Sequence, residues 1–212
     1  MSSLVKGGIA QVDPSTGATV RVIALQYNPD SLTRSLQVQA SGEDETDRSQ
    51  ALRLRGPAVE TLRLEAEVDA TDRLEHPDQN PDAVSAGIHP QLAAIELLVQ
   101  PTAQALATND ALARTGVLEI LPVQAPLTLF VWGRNRVVPV RVTELSITEE
   151  AFDGALNPIR AKVTLGMRVL STDDLGFAHR GGTLFLGHLR GREAMARRAG
   201  SVALSTLGLE VL

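Results

Sequence analysis

The sequence predicts a mainly β domain of α+β type with one core helix, and three observations carry that prediction. Val59 to Val68 alternates, with Leu62, Leu64, Ala66 and Val68 opposed by Thr61, Arg63, Glu65 and Glu67. Ile159 to Leu170 repeats the pattern, with Ile159, Ala161, Val163, Leu165, Met167 and Val169 opposed by Arg160, Lys162, Thr164, Gly166 and Arg168. A period of two sends successive side chains to opposite faces, so each strand offers one face to a core and one to water or a lumen. In contrast, Pro90 to Val99 carries a helical stripe of Leu92, Ile95 and Val99, widened by Ala94 and Leu98.

The remaining elements follow in chain order. Leu4 to Val12 reads as an edge strand weakened by Gly7 and Gly8, and Asp13-Pro14-Ser15-Thr16-Gly17 as a turn, with Pro presetting φ and Gly tolerating positive φ. Thr19 to Tyr27 alternates as its antiparallel partner. Asn28-Pro29-Asp30 then breaks the chain, because proline donates no amide and biases Asn28 away from helix, while the Asn and Asp side chains can bond nearby backbone. Leu32 to Ala40 resumes alternation, setting Leu32, Arg34, Leu36 and Val38 against Thr33, Ser35, Gln37 and Gln39.

Ser41 to Pro57 is a polar loop carrying Ala51, Leu52 and Leu54, long enough to be an interaction loop. Pro90 suits the first turn of the helix and Pro101 ends it, and no other long helix is expected in the main domain. A second strand set covers Leu127 to Trp132, Val137 to Ile147 and Ile159 to Leu170. Trp132-Gly133-Arg134-Asn135-Arg136 is the hairpin turn between the first two, and Pro139 suggests an edge position or a bulge. From Ser171 the composition turns Gly-, Arg- and Ala-rich, which divides the chain into a main domain, 1–170, and a C-terminal extension, 171–212. Thr183 to Ala199 can form an Arg-bearing helix, although Gly187 and Gly191 each cost about 1 kcal/mol relative to Ala. Ser201 to Leu212 is apolar and is expected to be covered by a partner.

With 212 residues, the chain can build one substantial core without a disulfide or metal, and it contains no cysteine. Its start lacks a basic segment followed by an apolar run, so synthesis and folding in the cytoplasm are expected. The apolar region Val117 to Trp132 is interrupted by Glu119, Pro122, Gln124 and Pro126, too often for a membrane-inserted helix. A formal charge of -5 argues against nucleic-acid binding by the chain as a whole. The charge is uneven: Glu43, Asp44, Glu45 and Asp47 cluster in one loop, and Arg180, Arg190, Arg192, Arg197 and Arg198 face only Glu193 in another segment.

Catalytic chemistry is not expected, and neither a cofactor nor a metal is called for. His76, His89, His179 and His188 lack metal-ligand spacing and sit in turn or surface contexts that suit capping. Glu75-His76-Pro77-Asp78 lacks the ligand set of a cation loop. No Gly-x-Ser-x-Gly elbow or phosphate-cradling Gly-Lys-Ser/Thr loop occurs. Glu149 and Glu150, or Glu65 and Glu67, could flank a glycosidic bond, but such pairs also suit the exposed face of a strand, and six aromatics are few for stacking on sugars.

Four stretches in order, "LQYNPDSLTRS" (25–35), "GIHPQLAAIELLVQP" (87–101), "LFVWGRNRVVPVRVTELSITEEAFDGALNPIRAKVTLGMRVL" (129–170) and the Arg-rich segment after "DLGF", cover about 4–198. Together they resemble the tube-domain baseplate protein of contractile injection systems, the phage-tail-like particles that include antifeeding prophages and photorhabdus virulence cassettes. The resemblance implies a phage tail-tube-like fold, with two packed antiparallel sheets and a helix, six copies closing a homo-hexameric ring around a channel. The ring would be a structural part of the particle's baseplate, a tube initiator and spike adaptor between the inner tube protein and the spike or hub protein. Closure of the ring would also pair the edges expected at Leu4 to Val12 and at the Pro139 strand.

Expected assembly contacts are Tyr27, Asn28, Pro29 and Asp30 at the corner, Glu43, Asp44, Glu45, Leu52 and Leu54 in the long loop, and Arg190, Arg192, Arg197 and Arg198 in the extension. Members of this family commonly continue into a LysM-like module, which this sequence does not contain, so Thr183 to Leu212 is expected to dock to other baseplate proteins instead. Two alternatives are an inner-tube protein of the shaft and, in a different class, a peptidoglycan-binding or wall-cleaving accessory protein.

Overall fold

A computed structural model of the chain describes residues 4–39, 53–114, 125–200 and 203–208. Strands β1 (Gly8–Val12), β2 (Thr19–Ala24), β3 (Leu32–Gln37), β4 (Val59–Asp69), β5 (Leu127–Val131), β6 (Val137–Phe152) and β7 (Pro158–Val169) form one antiparallel sheet in the order β2-β1-β5-β6-β7-β4-β3. The helices are α1 (Thr71–Leu74), α2 (Pro81–Ala86), α3 (His89–Glu96), α4 (Ala103–Arg114), α5 (Thr172–Leu175) and α6 (Arg180–Arg198), with 3-10 turns at Pro77–Gln79 and Leu204–Leu207.

The mainly β expectation holds, but the two separate sheets are corrected to one continuous sheet. The join is β6, whose sixteen residues pair with β5 at one end and with β7 along the rest. The sheet also curls until its distant parts meet. Gln26, just beyond the outermost strand β2, donates from Nε2 to the Asp69 carbonyl (2.8 Å) and accepts from the Asp69 amide (3.0 Å) at the end of β4. Ile9 and Leu25 thereby join Leu62, Leu64, Val163, Leu165 and Met167 in one core.

The alternation predicted for β4 and β7 is what fills that core. Leu62, Leu64, Ala66 and Val68 are buried, as are Ala161, Val163, Leu165, Met167 and Val169. Leu92 and Ile95 of α3 close over it, and α6 lies against β6 and adds Phe185. The predicted core helix is therefore present, ending in regular structure at Glu96, three residues earlier than Val99 suggests. It is not the longest in the main domain: α4 has twelve residues and none of them is buried.

Two edge assignments are also corrected. β1 lies between β2 and β5, so among the described residues the free edges are β2 and β3. Pro139 sits inside the sheet, opposite Leu129 of β5. Its carbonyl accepts from the Leu170 amide (2.9 Å), so its nitrogen faces the same way, toward the place where β7 has already ended. The missing donor therefore falls just past the last paired residues of that ladder, Val140 and Val169. The bulge in β6 lies farther on, between Val142 and Glu144.

The turns follow their local chemistry. The Asp13 carboxylate accepts from the amides of Ser15 (2.9 Å) and Thr16 (2.7 Å), and Gly17 takes φ +76°. At the β6–β7 hairpin, the Asp153 carboxylate accepts from the Ala155 and Asn157 amides and from Asn157 Nδ2, each at 2.8 Å. Ser171 and Asp174 form the capping box of α5, and the His179 ring accepts from the Gly181 amide to cap α6. Helix α6 runs through both Gly187 and Gly191.

Candidate assembly surfaces

The broadest polar surface is the outer face of β6, β7 and β4. The register places Arg141, Glu144, Ser146, Thr148 and Glu150 of β6 beside Arg168, Gly166, Thr164, Lys162 and Arg160 of β7, and these beside Thr61, Arg63, Glu65, Glu67 and Asp69 of β4. Basic and acidic side chains are interleaved, and the face has no net formal charge. Lys162 pairs with Glu150 (3.3 Å), and Arg160 pairs with Glu67 (3.4 Å) and Asp69 (2.6 Å). Arg63 reaches across β7 to Glu144 (3.0 Å), passing over Gly166, where even a methyl group would stand 2.9 Å from the Glu144 Cβ. Two of the carboxylates considered for acid–base work, Glu67 and Glu150, are thus held in ion pairs with the neighbouring strand.

Asp69 anchors one end of this face. Burial would raise its carboxyl pKa, but hydrogen bonds from Thr71 and the Arg160 guanidinium outweigh that and hold it below its ordinary value. Arg160 is correspondingly raised, first by its bond to Asp69.

The Asn28-Pro29-Asp30 corner adjoins the same face. Tyr27 to Ser31 border a shallow concavity of about 350 Å³ together with Glu65, Glu67 and Lys162. Tyr27 is half exposed. The Asn28 side chain does not bond its own turn as expected; its Oδ1 accepts from the Gly7 amide (2.8 Å) and its Nδ2 donates to the Val5 carbonyl (2.9 Å), which pins the segment entering β1. Asn28 is thus a structural tie although it is exposed, as are Tyr27 and Asp30, while Pro29 is half-buried.

The free edges carry apolar side chains into solvent: Val20 and Val22 on β2, and Leu36 and Val38 on and just past β3. Unpaired strand edges with exposed apolar side chains are templates for pairing with another chain. Between β2 and α3 lies an apolar cleft of about 300 Å³, lined in part by Ile23, Leu25, Ile95 and Leu98.

Of the long-loop contacts, Glu43, Asp44, Glu45 and Leu52 lie outside the described residues, and Leu54 is exposed. In α6, Arg190, Arg197 and Arg198 are exposed, whereas Arg192 turns inward and pairs with Glu60 (3.1 Å). Glu60 is buried and also pairs with Arg34 (2.7 Å). Sequence reasoning missed Glu60, although it shares the parity of Leu62 and Leu64; a charge on the apolar side of an alternating strand was the available signal. Gln26 had no such signal, because its partner is distant in sequence.

Among the described residues, no group of three or more potential metal ligands occurs, and no helix is long and apolar enough to cross a membrane. No protein-family model matches the chain, and no curated protein matches it.

Proposed function

We propose that the protein is a structural baseplate component of a contractile injection particle. It works as a hexameric ring that joins the inner tube to the central spike hub and starts tube assembly. The observation that carries this reading is the outer face of β6, β7 and β4, which is broad, polar and charge-balanced. A wall of that kind suits a water-filled channel, because it offers passing cargo neither an apolar patch nor a net field. The open edges at β2 and β3, with Val20, Val22, Leu36 and Val38 exposed, support closure of a ring by neighbouring copies.

The Tyr27–Asp30 corner lies at the rim of that wall, where a ring would meet the next component. The last turns of α6, bearing Arg197 and Arg198, supply a basic handle for other baseplate proteins. The mechanism is mechanical templating, with six-fold tube on one side and the hub on the other.

Cryo-electron microscopy of the assembled particle tests the reading. The expected result is six copies on the particle axis between tube and hub, with the β6-β7-β4 face toward the channel. A copy lying off the axis would overturn it. A ring repeated along the shaft would instead identify an inner-tube protein, and retention on peptidoglycan would favour the wall-binding alternative.

A further inference from the structure

The inner face of the sheet carries a row of polar side chains where an apolar row would be expected. Gln11 shares the parity of Ile9 on β1, and the register sets Arg21 of β2 on one side of it and Thr128 of β5 on the other. Gln11 is only 7% exposed. Among the described residues its side-chain amide makes no hydrogen bond, because Arg21 Nη1 turns to the Ala94 carbonyl (3.4 Å) and Thr128 Oγ1 to the Pro126 carbonyl (3.5 Å). The amide is not sealed in. It lines a groove of about 680 Å³ with Arg21, Leu97, Leu98 and Val142, and no acidic side chain is among the described residues of that lining. An amide so largely buried without a partner carries a desolvation cost that a ligand would relieve.

The next cavity along β2 is the apolar cleft of about 300 Å³, bordered by Val22 to Gln26, and Leu98 lines both. The cleft reaches the core, because Ile9, Leu25, Val68, Ile95, Val163 and Leu165 of its wall are all buried. Among the described residues, polar ties span the seam only at its two ends. Gln26 holds the backbone of Asp69 at one end, and Arg21 reaches Ala94 at the other. Between these ties, Val22 to Gln26 covers about 13 Å of strand at about 3.3 Å per residue, the reach of a medium-length acyl chain.

A guanidinium held by one long bond to a carbonyl, with a free amide beside it, offers donors that suit a carboxylate, and the buried walls suit a hydrocarbon tail. We propose that the seam between β2 and α3 binds a medium-chain fatty acid, its carboxylate on Arg21 and Gln11 and its tail in the cleft. The head group exchanges the long Arg21–Ala94 bond for a charge-assisted one and gives the Gln11 amide its missing partner. The site stands independently of the ring reading, because its residues belong to one chain and lie on the inner face and not on the proposed channel wall.

Isothermal titration calorimetry of the full chain with octanoate, below its micelle concentration and at constant ionic strength, tests this. Saturable one-to-one binding is expected. Acetate carries the head without the tail and octanol the tail without the head, and each is expected to bind about tenfold more weakly or less. Arg21→Gln is expected to weaken octanoate by about tenfold or more and to leave octanol unchanged, while Arg197→Gln, at an exposed position of α6, keeps the wild-type Kd. Gln11→Leu is expected to weaken octanoate as well, yet to fold with a basal Tm at or above that of the wild type, because it removes an amide that has no partner. Absence of octanoate binding, equal affinities for octanoate and octanol, wild-type affinity in Arg21→Gln, or a lowered basal Tm in Gln11→Leu would overturn the site.

Discussion

The inner and outer faces of β4, β7 and β6 arise from the same alternating sequence, yet they are held by opposite means. On the inner face Leu62, Leu64, Val163, Leu165 and Met167 are almost completely removed from water. On the outer face Arg63, Glu144, Glu67, Arg160, Lys162 and Glu150 remain between about a third and two thirds exposed and pair across strands. Burial of a large apolar side chain contributes about 1.5–3 kcal/mol, whereas an exposed ion pair contributes about 0–1 kcal/mol. The inner face therefore sets the stability, and the outer face can be shaped for what moves past it.

The largest effect that can break this comparison is a pair of neighbouring substitutions on β7. Leu165→Ala removes a side chain that is 2% exposed and is expected to cost about 2–5 kcal/mol in denaturant unfolding. Thr164→Ala, one residue earlier and on the outer face, is expected to stay within about 0.5 kcal/mol of wild type. Similar costs at the two positions would mean that the outer face is itself packed against something.

Asp69 stands where the two regimes meet, and its effect is intermediate. Its carboxylate accepts from the Thr71 amide (2.6 Å) and from Arg160, so Asp69→Asn sets an amide against the guanidinium and is expected to cost about 1–3 kcal/mol. The pH dependence follows from its lowered pKa. Because the folded state holds the carboxyl below the ordinary 3.8, its stabilisation is fully present above that value and is lost as pH falls through the folded pKa. Unfolding curves from pH 5 to pH 2 should therefore fall less steeply for Asp69→Asn than for wild type. An unchanged slope would show that the Thr71 and Arg160 hydrogen bonds do not hold this carboxyl below its ordinary value.

The same contrast explains which parts of the fold were legible in the sequence. β4 and β7 could be read residue by residue, because their two faces differ in polarity along their whole length. The last third of β6 could not: after Ile147 the pattern becomes Thr148, Glu149 and Glu150, and pairing with β7 rather than apolar alternation keeps the strand going to Phe152. Helix α4 was missed because it buries nothing, so no stripe was needed to build it. The curl of the sheet depends on Gln26 meeting the backbone of Asp69, a contact between segments whose local patterns do not refer to each other. At the candidate surfaces, the polar face was visible as alternation, but the inward turn of Arg192 was not, because its partner Glu60 reads as one more polar residue until the parity of β4 is applied.

The smallest effect is the most direct probe of the outer face. Arg63 and Glu144 belong to strands that are not hydrogen-bonded to each other, and their ion pair spans the gap left by Gly166. Arg63→Gln, Glu144→Gln and the double variant form a cycle whose coupling energy is expected to be about 0.2–1 kcal/mol. Because both side chains are largely exposed, that coupling should shrink as salt rises and the Debye length falls from about 10 Å at 0.1 M to about 3 Å at 1 M. A coupling well above 1 kcal/mol that does not respond to salt would mean that this pair is shielded from solvent, and the face would then be a contact surface in the isolated protein instead of a wall open to water.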